Sequence, residues 1–219
     1  VFEWETDQMT TRTFFLGSLA TLPALFSETS PLVLPRGSDV VILPTAAAFT
    51  GATEAAVATS TAIEQAGHEV EALMVTDRAS ANEPYFAQRV RDAAAIVVTD
   101  GSALHARSTW RDTPLGDALR AAAVLVVIGE TTTVLGEHMI DPRGGAPTTG
   151  LNYRPGAVVT TLTSSEQRQR SRDLLADGEI LIELGPLGVI ANDNGDWLAL
   201  SASDVYASRA GVDITLNSR

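Results

Sequence analysis

Short, mostly apolar runs recur along the chain, and segments with helical spacing of apolar positions separate them. The runs are Thr13 to Leu16, Asp39 to Leu43, Val70 to Val75, Ala95 to Thr99 and Val124 to Ile128. Such runs are too uniformly apolar to be half-exposed strands, so they predict buried ones. Between them, Gly51 to Gly67 reads as a helix closed by Gly67. Asn82 to about Asp92 reads as a second, with Pro84 in its first turn, and one or two helices run to about Ala122, the second starting at Thr113-Pro114. Leu22 to Gly37, broken by Pro23, Pro31 and Pro35, reads as irregular with at most one helical turn. Buried strands alternating with helices predict a mainly parallel sheet covered on both faces.

The pattern changes after Gly145. Ala157 to Leu162 predicts a strand and Glu166 to Asp177 an Arg-rich helix. Short strands then follow in the segments EILIEL, GVIAND, WLALS, VYAS and DITL, with hairpin turns at Asp193-Asn194-Gly195 and Ala210-Gly211. The expectation is one α/β domain over 1–219, a three-layer core of about 10–177 and an antiparallel meander of about 178–219 on its edge.

The stretch Ala123 to Gly145 organises this plan. Its buried run turns at Gly129 and enters a helical pattern at Val134, Leu135, His138 and Met139. Strand, sharp Gly turn and helix make the geometry of a nucleophile elbow. The turn itself, Gly129-Glu130-Thr131-Thr132-Thr133, holds neither Ser nor Cys.

Composition removes several chemistries. The chain has no Cys, so thiol catalysis, disulfides and thiolate metal sites are absent; it has no Lys, so no lysine Schiff base. Only His68, His105 and His138 are available as imidazoles. The net charge of −12 disfavours nucleic acid and anionic membranes. No His/Asp/Glu cluster has metal-ligand spacing, and no Gly-rich motif supports a nucleotide, so no cofactor is expected. Phe14 to Phe26 has the look of a signal-peptide core, but Pro23 interrupts it and Arg12 is a thin basic flank. No run approaches the roughly 18 apolar residues of a membrane span. A soluble, cytoplasmic protein is expected, with Val1 or Met9 as its native start.

Three segments in order, VVILPTAAAF, VVTDGSALHARSTWRDTPLGDAL and AVLVVIGETTTVLGEHMIDPRGG, resemble the cyanophycinase and dipeptidase E family of serine peptidases. That family has the class I glutamine amidotransferase-like fold, and the likeness is to members described as type 1 glutamine amidotransferase-like. It spans roughly residues 38 to 175, with TPL and MIDPRGG as its most specific parts. The resemblance implies a nucleophilic Ser in a turn reading roughly G-T-S-A-G-A. Counted without a gap, the Ser position is Gly129; a two-residue deletion would make it Thr131. It also implies a Gly-Gly-Asp-Gln-like loop shaping an oxyanion-stabilising backbone. Here that loop is Asp100-Gly101-Ser102-Ala103, which keeps only Gly101. The implied His should follow the strand at Ala157, but Thr160-Thr161-Leu162-Thr163 contains none.

Two functions follow as expectations. In the first, the protein is a catalytically degenerate relative acting in binding or assembly. Asp100, Gly101, Ser102, His105, Gly129, Glu130 and Thr131 are then a vestigial pocket. The protein would form a homodimer or join a larger assembly, and take a small-molecule or peptide ligand. In the second, it is an amide or peptide hydrolase with Thr131 as displaced nucleophile and His105 as base, aided by Glu130 or Asp100. The plain structural readings stand beside these. The threonines pack or cap, Glu130 is a helix N-terminal acid, and His105 is a structural hydrogen bonder. His138 packs or pairs with Asp141, His68 is on the surface, and Arg168, Arg170 and Arg172 line a solvated face.

Overall fold

The computed structural model describes residues 11–218 other than 28, 31, 33, 141–146, 162–164, 176–177 and 202. Its strands are β1 (Arg12–Leu16), β2 (Asp39–Leu43), β3 (Glu69–Ala72), β4 (Ala95–Val98), β5 (Val124–Ile128), β6 (His138–Met139) and β7 (Thr148–Thr149). They continue with β8 (Ala157–Thr161), β9 (Ile180–Leu184), β10 (Val189–Asp193), β11 (Asp196–Ala199), β12 (Val205–Arg209), β13 (Val212–Ile214) and β14 (Asn217–Ser218). The helices are α1 (Leu22–Leu25), α2 (Ala52–Glu64), α3 (Arg78–Ala81), α4 (Pro84–Asp92), α5 (Ala103–Trp110), α6 (Pro114–Arg120) and α7 (Ser165–Leu174).

The main sheet has the order β14-β11-β10-β1-β5-β4-β2-β3. Strands β1, β5, β4, β2 and β3 are parallel, and β10 adds antiparallel to β1. Successive residues of these strands point to opposite faces, and both faces are covered. Phe14, Leu16, Ile42 and Ile128 meet Leu22 and Leu25 of α1 and Ile63 of α2. On the other face, Phe15, Leu43, Val98 and Val127 meet Trp110 of α5 and Leu115 and Leu119 of α6. The expected three-layer α/β plan is therefore present, with antiparallel strands at its C-terminus.

Those last strands are divided, not gathered into one meander at the edge. β10 and β11 extend the main sheet, while β9, β12 and β13 join β8 in a second sheet of order β13-β12-β9-β8. The second sheet lays Val159, Ile182 and Leu184 on the same face as Trp110, covering the main sheet beside α5 and α6. Local signals account for two other departures. The helix expected from Asn82 starts at Pro84 and runs to Asp92, because Glu83 precedes Pro84 and is held extended at ψ 124°; a separate short helix, α3, precedes it. The helix expected after Gly129 is a 3-10 run, Gly129–Leu135, followed by the short strand β6. Thr131 to Thr133 are β-branched in a row, and Thr132 Oγ1 donates back to Gly129 O at 2.8 Å, which competes with a regular helix.

Topology places the site. The chain leaves β2 toward β3 but leaves β4 toward β5, in opposite directions along the sheet. A crevice opens outside the carboxyl ends of strands at such a reversal. The turns after β2, β4 and β5 all lie at that end because the strands are parallel. Among the described residues no helix is long and apolar enough to cross a membrane.

Both predicted hairpin turns form, with Asn194 and Gly195 at φ 51° and 97° and Ala210 and Gly211 at φ 49° and 76°. Positive φ at both central residues is the type I′ turn. Alanine is a poor left-handed residue where asparagine is a good one. Ala210→Asn is expected to stabilise the protein by about 0.5–1 kcal/mol, read as a higher urea midpoint with unchanged m-value.

Candidate functional site

The last residue before the α5 turn is Asp100, whose exposed side chain folds back over the backbone. One oxygen, Oδ1, accepts from Gly101 N at 2.7 Å and from Glu130 N at 2.8 Å. Those amides come from the turns after β4 and β5, so one carboxylate oxygen joins the ends of two neighbouring strands. Gly129 makes this possible. It sits at φ 64°, and a methyl group on its Cα would overlap the Asp100 carboxyl carbon and both oxygens. The space over the elbow that a side chain would fill is filled by Asp100 instead.

Gly101 is needed for a separate reason. Its φ is 146°, and a methyl there would run into the carbonyl of Ala46, in the turn after β2. The next residue, Ser102, donates its amide to Ala46 O at 2.7 Å. Its side chain caps α5 by accepting from His105 N at 3.3 Å. Three turns are thus locked together around the Asp100 oxygen.

The threonines of the elbow are fully buried and turned to structural work. Thr131 Oγ1 donates to Thr99 O at 3.0 Å, and Thr133 Oγ1 accepts from Ile140 N at 3.0 Å. His105, half-buried on α5, lies 2.7 Å through Nε2 from Thr76 O. A carbonyl only accepts, so Nε2 carries the proton. The ring also meets Phe49 edge-on, with centroids 4.6 Å apart. Among the described residues no hydrogen bond joins Thr131 to His105. Glu130 is exposed, and its backbone, not its carboxylate, is what the cradle uses.

The other candidates are dispersed. His68 is buried, not on the surface, at 8% exposure against the Phe26 ring. His138 pairs through Nδ1 with Glu179 Oε2 at 2.9 Å; Asp141, its expected partner, lies outside the described residues. Arg172 is not part of a solvated face. It reaches Asp213 at 3.1 Å and the buried Glu183 at 3.7 Å, tying α7 to the second sheet. Arg170 pairs with Glu166 along the helix, and the Arg168 side chain lies outside the described ones. Thr160 and Thr161 end β8, where the resemblance would have a His follow; 162–164 lie outside the described residues. Among the described residues no group of three or more His, Cys, Asp or Glu could hold a metal ion.

Chemically, two convergent amides from strand-end turns make a cradle for an oxygen anion. The sequence placed Asp100 in the pocket as a candidate aid to His105, not as the acceptor of the Gly101 and Glu130 amides. The available signals were an Asp-Gly pair at the end of one buried strand and a Gly at the end of its neighbour.

No family model matches the chain, and no curated protein matches its sequence. Solved structures do match its fold. One is a peptidase from an acI-B1 Actinobacterium, with a TM-score of 0.76 at 18% identity, covering 95% of each chain. Another is a peptidase E-type protein from Listeria monocytogenes EGD-e, with a TM-score of 0.64 at 15% identity, covering 91% of this chain and 98% of that one. The chain has a peptidase E-like fold.

Gly129→Ala is expected to cost about 2 kcal/mol or more in urea unfolding, from the left-handed backbone and the overlap with Asp100. In an Asp100→Gly background the cost should fall by about 1 kcal/mol or more. An equal cost in both backgrounds would show that the carboxylate is not what crowds the position.

Proposed function

We propose that this is a peptidase-fold protein without peptidase chemistry, a catalytically degenerate relative of the cyanophycinase and dipeptidase E proteins that acts in binding or assembly. The observation that carries the reading is the Asp100 carboxylate held over Gly129 by the Gly101 and Glu130 amides. In a working acyl-transfer site the residue at the strained elbow carries the nucleophile, and such amides stay open for the developing oxyanion. Here the elbow residue has no side chain, and the amides are satisfied from within the chain. The buried Thr131 hydroxyl, committed to Thr99 O, supports the same reading. So does the lack of a His in Thr160-Thr161-Leu162-Thr163.

Binding or assembly is supported by what surrounds this end of the sheet. Phe49 (80% exposed), Met74 (44%) and Leu104 (41%) follow the ends of β2, β3 and β4. Large exposed apolar side chains gathered at one end of a fold mark a surface for a partner. A second copy of the chain, a larger assembly, or a peptide or small-molecule ligand is the class of partner we assign to it.

The test is chemical. A serine-directed fluorophosphonate probe should leave the purified protein unlabelled, and peptide and amide substrates should be turned over no faster with protein than without. Thr131→Ala and His105→Ala should change neither result. Labelling that disappears in Thr131→Ala would instead make the protein a threonine-dependent hydrolase.

A further inference from the structure

A second polar cluster lies away from the cradle, at the amino-terminal end of β1, between the two sheets. Its centre is Arg154, only 5% exposed. Arg154 Nε donates to Thr13 Oγ1 at 2.6 Å, and Nη1 donates to Tyr153 O at 2.7 Å. Nη2 is buried and has no partner. Nε and Nη2 form one edge of the guanidinium, the edge that grips anions in a fork. The free donor therefore opens beside Thr13.

A second free donor lies directly across the β1–β10 pair from Thr13. Asn192 is 3% exposed, and its Nδ2 is likewise buried without a partner, while its Oδ1 accepts from Gly195 N at 3.3 Å. Thr13 and Asn192 are direct partners in the antiparallel β1–β10 pair. Side chains so paired stand on one face, within about 4.5–5.5 Å at Cβ. That face carries Phe15 and Ile190 and looks toward the second sheet.

The cluster is also short of negative charge. Among the described residues no carboxylate pairs with Arg154. Arg120 stands nearby, donates to Leu151 O and Asn152 O, and lies 5.3 Å over the Tyr153 ring, adding a second positive charge. Asp193, next along β10, points to the opposite face and pairs with Arg12 at 3.2 Å. Asp112 and Asp117 act on Tyr153 only through space. Burial, and then Arg120, push the Arg154 pKa down, the direction expected of an uncompensated cation. A water could accept from both free donors, but it would leave the charge unbalanced in a buried place, which is the costlier arrangement.

We propose that Arg154 and Asn192 hold a chloride-sized monovalent anion between the two sheets, beside Thr13. The anion takes the Nη2 and Nδ2 hydrogens together and neutralises the guanidinium. It serves the packing of the second sheet on the first and is independent of the reading given to the elbow.

Two experiments on the full chain test it. Crystals soaked in bromide should show an anomalous peak between Arg154 Nη2 and Asn192 Nδ2; a water there, with no anomalous signal, overturns the proposal. In solution, exchanging gluconate for chloride at constant ionic strength should raise Tm by about 2 °C or more. Arg154→Met and, separately, Asn192→Leu should abolish that chloride dependence, whatever they do to Tm itself. Equal midpoints of the unsubstituted chain in the two salts, or a chloride effect that survives both substitutions, overturn it.

Discussion

Burial of both faces of the main sheet is the constraint from which the rest follows. Strands such as β2, β4 and β5 are wrapped by α1 and α2 on one side and by α4 to α6 and the second sheet on the other. No polar side chain can sit along them without a partner. Polar chemistry is therefore driven to the strand ends, where the turns after β2, β4 and β5 converge. The reversal of chain direction between β2 and β4 opens a crevice there, and Gly101 and Gly129 are the positions at which the backbone comes close enough to build it.

At that crevice one carboxylate oxygen does what a substrate oxygen does in an acyl-transfer enzyme. Free amides that converge on one point are costly to leave unsatisfied. An enzyme accepts that cost so that the transition state can relieve it. In this chain Asp100 accepts from both amides, and the arrangement requires Gly129, since any side chain there would displace the carboxylate. The bare Gly129 and the internal anion over it are thus one arrangement. The threonines beyond it turn their hydroxyls into the fold in the same way.

The space between the two sheets obeys the opposite logic. There a cation, Arg154, is carried into the interior with only neutral acceptors among the described residues. It links β1 to the segment that leads into β8, and so helps hold the second sheet on the first. Arg172 performs a related task on the far side of that second sheet, where it is paired with Asp213 and Glu183. Among the described residues, the two arginines differ in whether a carboxylate pairs with them.

What the sequence by itself determined was the layered plan. Continuous apolar runs such as DVVIL and VLVVI point to buried strands, and Asn-Gly at a hairpin turn carries its own backbone preference. Gly129 after VLVVI was readable as a strained turn, and the residues after it, Glu130 to Thr133, as holding neither Ser nor Cys. The tertiary structure alone decided the rest, because it depends on groups far apart in the chain. Asp100 acquires a role only when β4 and β5 lie side by side and bring Glu130 N to it across 30 positions. β9 and β12 leave the main sheet because its face needs covering, which no local pattern records. His68 is buried by Phe26, 42 residues earlier, and Arg154 is orphaned beside Thr13, 141 residues away. Local patterning fixes which residues must be buried; only packing chooses which polar groups meet.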